Sequence, residues 1–460
     1  MRVQFVIPRS HNPKQTYREY PLGAGFLGTI LKGHGHEVRI LDQNAEGVDD
    51  AAVLRQIADF APQVVAFSII TPNYPVARRQ IDEIGRRWPD TKVIAGGVHA
   101  SLFPEHLLTD GADVVVLGEG EPVIVELVRR LGEHGNLDEL NGLAFRDANG
   151  RVVRTQRQPC DVAIDELPII DRTLYNLPCY THHSMLASRG CPYHCAFCCN
   201  FTGTVRADSV AVRQPERVID EMLHLRDRFD ASEIFFADDM FLIRKKEILA
   251  FCASYMARKV GIRWIAQMRA DRIDQAVAEA MAGAGCQRIY FGVESGSEAI
   301  LKNAGKGMSK EQIRQGIHAA LAAGLRVKTG WIYGLPGTIE EQYDSIRFML
   351  ELRPHEISIH QLIPFPGTIY YSEPQRFGIR IADPLAFESF CYGGLEGDVR
   401  FDYLSQAQLV RLLEDTGRAL EEAGYVSSDR AAAGSPYVYT TPLSKNSMNV
   451  FRRPILEPAA

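Results

Sequence analysis

The chain has 460 residues, 46% hydrophobic and 23% charged, with a net charge of −6. That balance predicts a soluble globular protein of two or three domains. No basic block marks a nucleic-acid partner. The longest apolar runs, such as 64–70, fall far short of the ~20 residues of a membrane span, and the N-terminus opens on a strand-like run with no signal-peptide pattern. Nine cysteines, four of them inside 191–199, argue against a secreted disulfide framework and for a reducing cytoplasm.

Residues 1–142 alternate short apolar runs with helical patterns. Runs recur at Val3–Ile7, Val38–Leu41, Val64–Ile69, Val93–Ala95 and Val114–Leu117, with helix-like segments such as Gly25–Lys32 and Val76–Trp88 between them. Short, wholly apolar strands imply a parallel sheet covered on both faces, an open doubly wound (Rossmann-like) domain whose ligand lies beyond the carboxyl ends of the strands. Those ends carry His11, Thr71-Pro72-Asn73, Gly96-Gly97-Val98-His99 and Gly118-Glu119-Gly120-Glu121. A lone histidine is more often a hydrogen-bonded core or surface residue than a ligand, and that is the reading for His11 and His99. Residues 143–182 read as a hairpin, turning at Asn149-Gly150, followed by a linker rich in turn residues.

From 183 to 375 a second alternating series begins. Its strands are expected at Ser184–Ser188, Ile234–Ala237, Arg263–Gln267, Arg288–Gly292, Arg326–Ile332 and Glu356–Leu362. Six β/α units make a partial (β/α)6 barrel, with its site at the carboxyl ends of the strands. There stand the cysteine loop, Asp238-Asp239, Arg269, Glu294, Tyr333-Gly334 and Pro364. After 375 the pattern weakens. One helix, Gln406–Glu422, is clear, and 376–460 reads as a small C-terminal cap.

The densest signal is Ser188-Arg189-Gly190-Cys191-Pro192-Tyr193-His194-Cys195-Ala196-Phe197-Cys198-Cys199. Cys191 and Cys195 are followed by a third candidate ligand at Cys198 or at Cys199. Three thiolates on one loop suit an iron–sulfur cluster, whereas zinc wants four ligands, often as two pairs, and no second pair exists. A cubane 4Fe-4S cluster held by three thiolates keeps one iron open to another ligand.

This run resembles the motif of the radical S-adenosylmethionine (SAM) superfamily. The resemblance implies that SAM chelates the open iron and is cleaved to a 5′-deoxyadenosyl radical that abstracts hydrogen from an unactivated carbon. It also implies roles at the strand ends. Asp238 or Asp239 would accept from the SAM amine, Arg269 would pair with its carboxylate, Glu294 would hold the ribose hydroxyls, and Phe197 would wall off the cluster. The plainer readings are a helix cap for the Asp pair, a structural ion pair for Arg269 and a solvated carboxylate for Glu294. Pro21-Leu22-Gly23, Leu31–Val38, Gly96–Ala100 and Gly118–Glu121 resemble the cobalamin-binding-type domain fused to many such enzymes. One departure stands out: no Asp-x-His occurs anywhere, so the cobalt-ligating Asp-x-His-x-x-Gly is missing. Cobalamin is therefore possible but not favoured.

The non-standard cysteine spacing and the missing histidine together resemble the radical SAM dehydratase of apramycin-type aminoglycoside biosynthesis. That implies dehydration or deoxygenation of a sugar-like intermediate, a lyase-type step in antibiotic biosynthesis. An electron donor of flavodoxin or ferredoxin type and a separate reductase would be the partners. The alternative is a cobalamin-dependent radical SAM C-methyltransferase, and a third, from another class, is a non-catalytic electron-transfer module. Acidic residues expected near the barrel mouth (Asp239, Glu294, Glu356, Glu373) would suit an aminosugar, with solvated surface carboxylates as the default.

Overall fold

The computed structural model describes residues 1–10, 19–156, 163–180, 182–199, 210–390, 398–427 and 449–453. His11 and most of the expected cap lie outside them. The chain divides into two compact units. Among the described residues, the first comprises 1–180 with 386–390 joined to it, and the second holds the remainder.

The first unit is built on a seven-stranded sheet. Its strands are β1 (Arg2–Ile7), β2 (Glu37–Asp42), β3 (Val64–Ser68), β4 (Lys92–Gly96), β5 (Val114–Val116), β6 (Leu143–Arg146) and β7 (Val152–Arg154), in the order β2-β1-β3-β4-β5-β6-β7. The first five are parallel, and β1 lies between β2 and β3. That order places the reversal of strand order at β1/β3, where a doubly wound sheet opens a crevice beyond its carboxyl ends. Both faces are covered, as the apolar runs require: on one, Val6, Val65, Phe67, Val93, Ala95 and Val115 share a core with Ile57, Ile81 and Ile84 of the flanking helices, and on the other Val3, Phe5, Val64, Ala66 and Val114 are buried too. The hairpin forms where expected and turns at Gly150 (φ 78°). β6 pairs antiparallel with β5, so the hairpin extends the sheet. Short 3-10 turns follow at 164–166, 172–174 and 177–179.

The second unit contains β8 (His183–Met185), β9 (Ser188–Arg189), β10 (Ala211–Val212), β11 (Glu233–Phe236), β12 (Arg263–Met268), β13 (Cys286–Glu294), β14 (Arg326–Tyr333), β15 (Glu356–Gln361), β16 (Ile379–Ile381), β17 (Val399–Phe401), β18 (Val426–Ser427) and β19 (Asn449–Arg452). The six parallel strands β8-β11-β12-β13-β14-β15 are those the sequence predicts. Trp264, Ile289, Phe291, Val327, Trp331 and Ile357 face the helices in one large core. By alternation the opposite side chains line the lumen. Serine and threonine caps start the crossover helices. Ser309 with Gln312 begins Lys310–Ala322, and Thr338 with Glu341 begins Ile339–Leu352, each a reciprocal capping box.

The C-terminal region differs from a detached cap. β19 pairs antiparallel with β15 from Glu356↔Arg452 to Ile359↔Asn449, and β18 pairs with β19. The helix Gln406–Glu422 is tied to the barrel by Tyr333, whose hydroxyl meets that of Thr416 at 2.7 Å. No helix among the described residues is long and apolar enough to cross a membrane.

Candidate active site: a cysteine loop and a strand-end crevice

The cysteine loop leaves the carboxyl end of the first barrel strand and is held from three sides. Ala196 N–H donates to the Ala304 carbonyl at 2.9 Å, Tyr370 N–H donates to the Ala196 carbonyl at 3.2 Å, and Cys198 N–H closes a turn on the Cys195 carbonyl at 2.9 Å. The Tyr193 ring lies 3.6 Å from the Arg269 guanidinium carbon, and its hydroxyl accepts from Arg272. Gly305, at φ +65°, passes so close that a Cβ there would stand 3.0 Å from the His194 carbonyl oxygen.

Cys191, Cys195, Cys198 and Cys199 are all free of disulfides. Burial raises the pKa of Cys191, Cys195 and Cys199, opposed at Cys191 and Cys195 by the charges of Lys306 and Arg269. Thiolates in such a setting need a positive centre. Three of them with two flanking cations match the donor chemistry of a cluster whose iron–sulfur core and thiolates together are anionic. Among the described residues, no three His, Cys, Asp or Glu side chains already stand gathered as metal ligands. The fit is therefore one of donor chemistry, and both Cys198 and Cys199 stay open as the third ligand.

The two aspartates have separate positions. Asp238 is buried and turned to the loop: Ala187 N–H (3.1 Å), Ser188 N–H and the Ser188 hydroxyl (2.5 Å) all donate to it. Burial nevertheless pushes its pKa up to about 7. Asp239 is exposed and accepts from Gly190 N–H at 3.0 Å. Its charge is felt by both Cys191 and Cys199.

Arg269 is buried, and its donors are engaged within the protein. It forms a two-point pair with Asp271 (3.0 and 3.1 Å) and donates to the carbonyls of Lys306 (2.6 Å) and Gly307 (3.1 Å). In this arrangement it positions Tyr193 and the 306–307 turn, matching the structural ion pair weighed from sequence. These bonds use four of the five guanidinium N–H groups, so a two-point pairing with the SAM carboxylate would require Arg269 to give up one of them.

Glu294 closes β13 in a left-handed conformation, φ +73°, where the register to β14 slips between Gly292 and Glu294. A bulge of this kind re-aims a side chain. The carboxylate folds back over Gly292, where a Cβ would stand 2.3 Å from Oε1, and accepts from Lys306 Nζ at 2.9 Å. Both partners are buried, at 12% and 8% side-chain exposure. The same ammonium lies 5.8 Å from the centre of the half-buried Phe197 ring. Cys191, Cys195, Phe197, Arg269, Glu294 and Lys306 are thus brought to one strand-end locality. Lys306 and Asp271 were not anticipated. The signal for Lys306 was its place between Gly305 and Gly307, both at positive φ.

In the first unit, Gly97 sits at φ +98°, ψ −179°, and a Cβ there would stand 2.6 Å from the Ile69 carbonyl oxygen. This close approach joins the ends of β3 and β4, where Ile69 N–H donates to Gly96 at 2.8 Å and His99 N–H donates to Ile69 at 3.1 Å. His99 is fully buried, with Nδ1 3.1 Å from the Thr71 hydroxyl. It stacks on Tyr74 at 4.3 Å and meets Phe387 edge-on at 4.7 Å. Burial lowers its pKa to about 3, so it is neutral, and its Nε2 has no hydrogen-bond partner among the described residues.

Comparison with known proteins bears on both sites. Residues 185–349 match the Radical SAM superfamily and residues 14–128 match the B12 binding domain. An uncharacterized methyltransferase of Pyrococcus horikoshii is 31% identical over 365 residues, 76% of this chain and 77% of that protein. The chain belongs to the radical SAM superfamily. Within it, cytidylyl-2-hydroxyethylphosphonate methyltransferase of Streptomyces wedmorensis is 26% identical over 386 residues, 72% of each chain. Anaerobic magnesium-protoporphyrin IX monomethyl ester cyclase of Rubrivivax gelatinosus is 25% identical, over 81% of this chain and 70% of that one. In fold, the chain resembles the radical SAM methyltransferase TsrM of Kitasatospora setae, solved with cobalamin and a [4Fe-4S] cluster (TM-score 0.74, 20% identity, 90% of each chain covered). It also resembles the cobalamin-dependent radical enzyme OxsB (TM-score 0.72, 18% identity, 92% of this chain and 67% of that one).

The radical SAM enzyme assignment carries with it the 4Fe-4S cluster and SAM. The view of cobalamin as not favoured is corrected: the B12 binding domain match and the cobalamin-bound structural neighbours favour it. The missing Asp-x-His pointed the other way because it reports only on a cobalt-ligating histidine. The comparisons bring no support for the dehydratase resemblance.

Proposed function

We propose that this protein is a cobalamin-dependent radical SAM C-methyltransferase. The observation that carries this reading is the union, in one chain, of a B12 binding domain match over 14–128 and a radical SAM match over 185–349, in a chain whose relatives include methyltransferases. When bound, the cluster supplies the electron that splits SAM, and cobalamin supplies a carried methyl group.

The chain's own residues do the holding. Cys191, Cys195 and either Cys198 or Cys199 bind the cluster. Asp238 fixes the strand end from which their loop departs, through the backbone of Ala187 and Ser188. Arg269 clamps Tyr193 and the 306–307 turn, and so sets the wall of the loop. Glu294 offers a buried carboxylate to the ribose hydroxyls, and Lys306 beside it offers an ammonium to the methionyl carboxylate. Asp239, exposed at the rim, is left for the SAM amine. Phe197 keeps water from the cluster. In the first unit, the crevice edged by Thr71, Gly97 and His99 holds cobalamin, with neutral His99 as part of the wall. A flavodoxin- or ferredoxin-type donor supplies the electron.

The test is anaerobic turnover after cluster reconstitution in protein produced with ample cobalamin. Methyl transfer predicts stoichiometric cobalamin in the visible spectrum and both 5′-deoxyadenosine and S-adenosylhomocysteine matching product. Protein that binds no cobalamin, forms 5′-deoxyadenosine alone and releases water from its substrate would return the dehydratase reading.

A further inference from the structure

The short helix Ile369–Ser372 follows β15 and is bonded to the cysteine loop. Thr368 starts it, its hydroxyl accepting from Tyr371 N–H at 3.2 Å. Tyr370 N–H donates to the Ala196 carbonyl at 3.2 Å, so the backbone of Tyr370 is tied to the residue next to Cys195. The Tyr370 ring is fully buried and meets Phe377 edge-on at 4.9 Å. Ring and loop are therefore held in one register.

The Tyr370 hydroxyl has no hydrogen-bond partner among the described residues. Its buried counterparts in the second unit are all paired. Tyr333 meets the Thr416 hydroxyl at 2.7 Å, Tyr255 donates to the Ile262 carbonyl at 2.6 Å, and Tyr425 donates to the Pro354 carbonyl at 2.7 Å. Native proteins rarely leave such a donor unsatisfied in their interior, and a lone one points to a partner that is not protein. Glu373, expected near the barrel mouth, follows the helix but is exposed and pairs with Arg376 at 2.7 Å, so it is not that partner.

The surroundings indicate what the partner is. Burial, and then the charge of Cys195, push the Tyr370 pKa up, so the hydroxyl keeps its proton as a donor, and Cys195 is the ionisable group whose charge reaches it. Cys195 is also the buried member of the four loop cysteines. Water reaches sulfur least there, so an anionic thiolate and the cluster sulfur beside it depend on donors from the protein. A phenol O–H beside an anionic acceptor makes the stronger, charge-assisted kind of hydrogen bond.

We infer that Tyr370 is a contact of the 4Fe-4S cluster, its hydroxyl donating a hydrogen bond to sulfur on the Cys195 side, either the thiolate or the adjoining sulfide. Hydrogen bonds to the sulfurs set the potential of such clusters. A donor favours the more negative, reduced state, so Tyr370 raises the potential and eases reduction. The flavodoxin- or ferredoxin-type donor gives up one electron and the cluster gains it, while the phenolic proton stays on its oxygen. The inference rests on cluster ligation at Cys195 and holds for methyl transfer or dehydration alike.

The test is Tyr370→Phe, which removes the hydroxyl and keeps the ring against Phe377. Cluster-reconstituted enzyme without SAM is titrated with reductant and followed by electron paramagnetic resonance. At a fixed potential the ratio of reduced to oxidised cluster should fall by about threefold to tenfold, where tenfold corresponds to about 59 mV. One exchangeable deuteron coupling to the reduced cluster, seen for wild type in heavy water, should disappear. An unmoved potential with the coupling retained would overturn the assignment. So would weakened SAM binding at an unmoved potential, which would give the hydroxyl to SAM instead. Should Tyr370→Phe take up less iron, its unfolding midpoint before reconstitution decides. A midpoint equal to that of wild type means that the hydroxyl serves the cluster; a lowered one means that it serves the fold, and the assignment falls. Wild type that takes up no iron refutes the cluster itself, whereas a full cluster indifferent to Tyr370 refutes only this contact.

Discussion

Replacing Lys306 by methionine tests the core of the candidate site. The ammonium and the Glu294 carboxylate stand 2.9 Å apart, and both are buried. Solvent therefore screens them little. Removing one partner of such a pair strands the other, at a cost of about 3–5 kcal/mol. Glu294 adds a second contribution, because a non-glycine residue at φ +73° stores roughly 1–2 kcal/mol of backbone strain. Lys306→Met should therefore lower unfolding stability by about 3–5 kcal/mol and weaken SAM binding at least tenfold. Lys306→Met combined with Glu294→Gly should recover most of the stability, since the stranded charge and the strain both go, while SAM binding stays lost. Denaturant titration gives the first quantity and equilibrium dialysis of SAM the second. A stability loss under 1 kcal/mol in Lys306→Met, or no recovery in the double variant, would show that the pair is not buried and coupled as described.

The other predictions concern both units. Gly97→Ala should cost at least about 1–3 kcal/mol, from a backbone conformation essentially restricted to glycine and a Cβ 2.6 Å from Ile69; cobalamin absorbance in the purified protein should fall with it. Arg269→Lys keeps the charge but not the fork that grips Asp271 and two carbonyls, so iron retained per chain after reconstitution should drop although no cysteine has changed. Cys191→Ala should abolish the cluster, and parallel iron counts for Cys198→Ala and Cys199→Ala identify the third ligand. His99 is held neutral, with its pKa lowered from 6.5 to about 3. Below pH 6.5 the unfolded chain takes a proton that the folded one refuses, so its contribution is complete above 6.5 and is lost progressively toward pH 3. Unfolding stability should therefore decline more from pH 6.5 to 5 in wild type than in His99→Phe, by about 2 kcal/mol.

The strands and helices of both sheets were legible because each is a short apolar run or a capped amphipathic stretch, and parallel β/α units impose that pattern. The cysteine loop was legible because ligand spacing is local. Less local features were not. Lys306 reads as a turn residue until β13 bulges and brings Glu294 back to it. Arg269 looked available until Asp271, two residues on, and the carbonyls of the 306–307 turn occupied its fork. Glu356, expected near the barrel mouth, begins β15 at its amino end, ringed by Arg326 (2.9 Å), Arg288 (3.4 Å) and Arg452 (3.9 Å), because strand membership alone does not say which end of the barrel a carboxylate occupies. β19 was missed because four residues carry too little periodicity, and only its pairing with β15 makes it a strand.

That late strand sets the order in which the barrel can be completed. β15 ends at residue 361, yet the antiparallel neighbour that covers its outer edge begins at residue 449. Throughout synthesis of the intervening chain, the hydrogen-bonding groups on that edge face outward beside the incomplete arginine ring about Glu356. An unpaired edge is open to other strands, and chains of this size pass through such incompletely packed species. β19 supplies the missing backbone partners, and its Arg452 supplies the third guanidinium beside Glu356. The barrel is therefore latched by its last described strand, and aggregation before that latch closes competes with the loading of an oxygen-sensitive cluster at the other end of the same sheet.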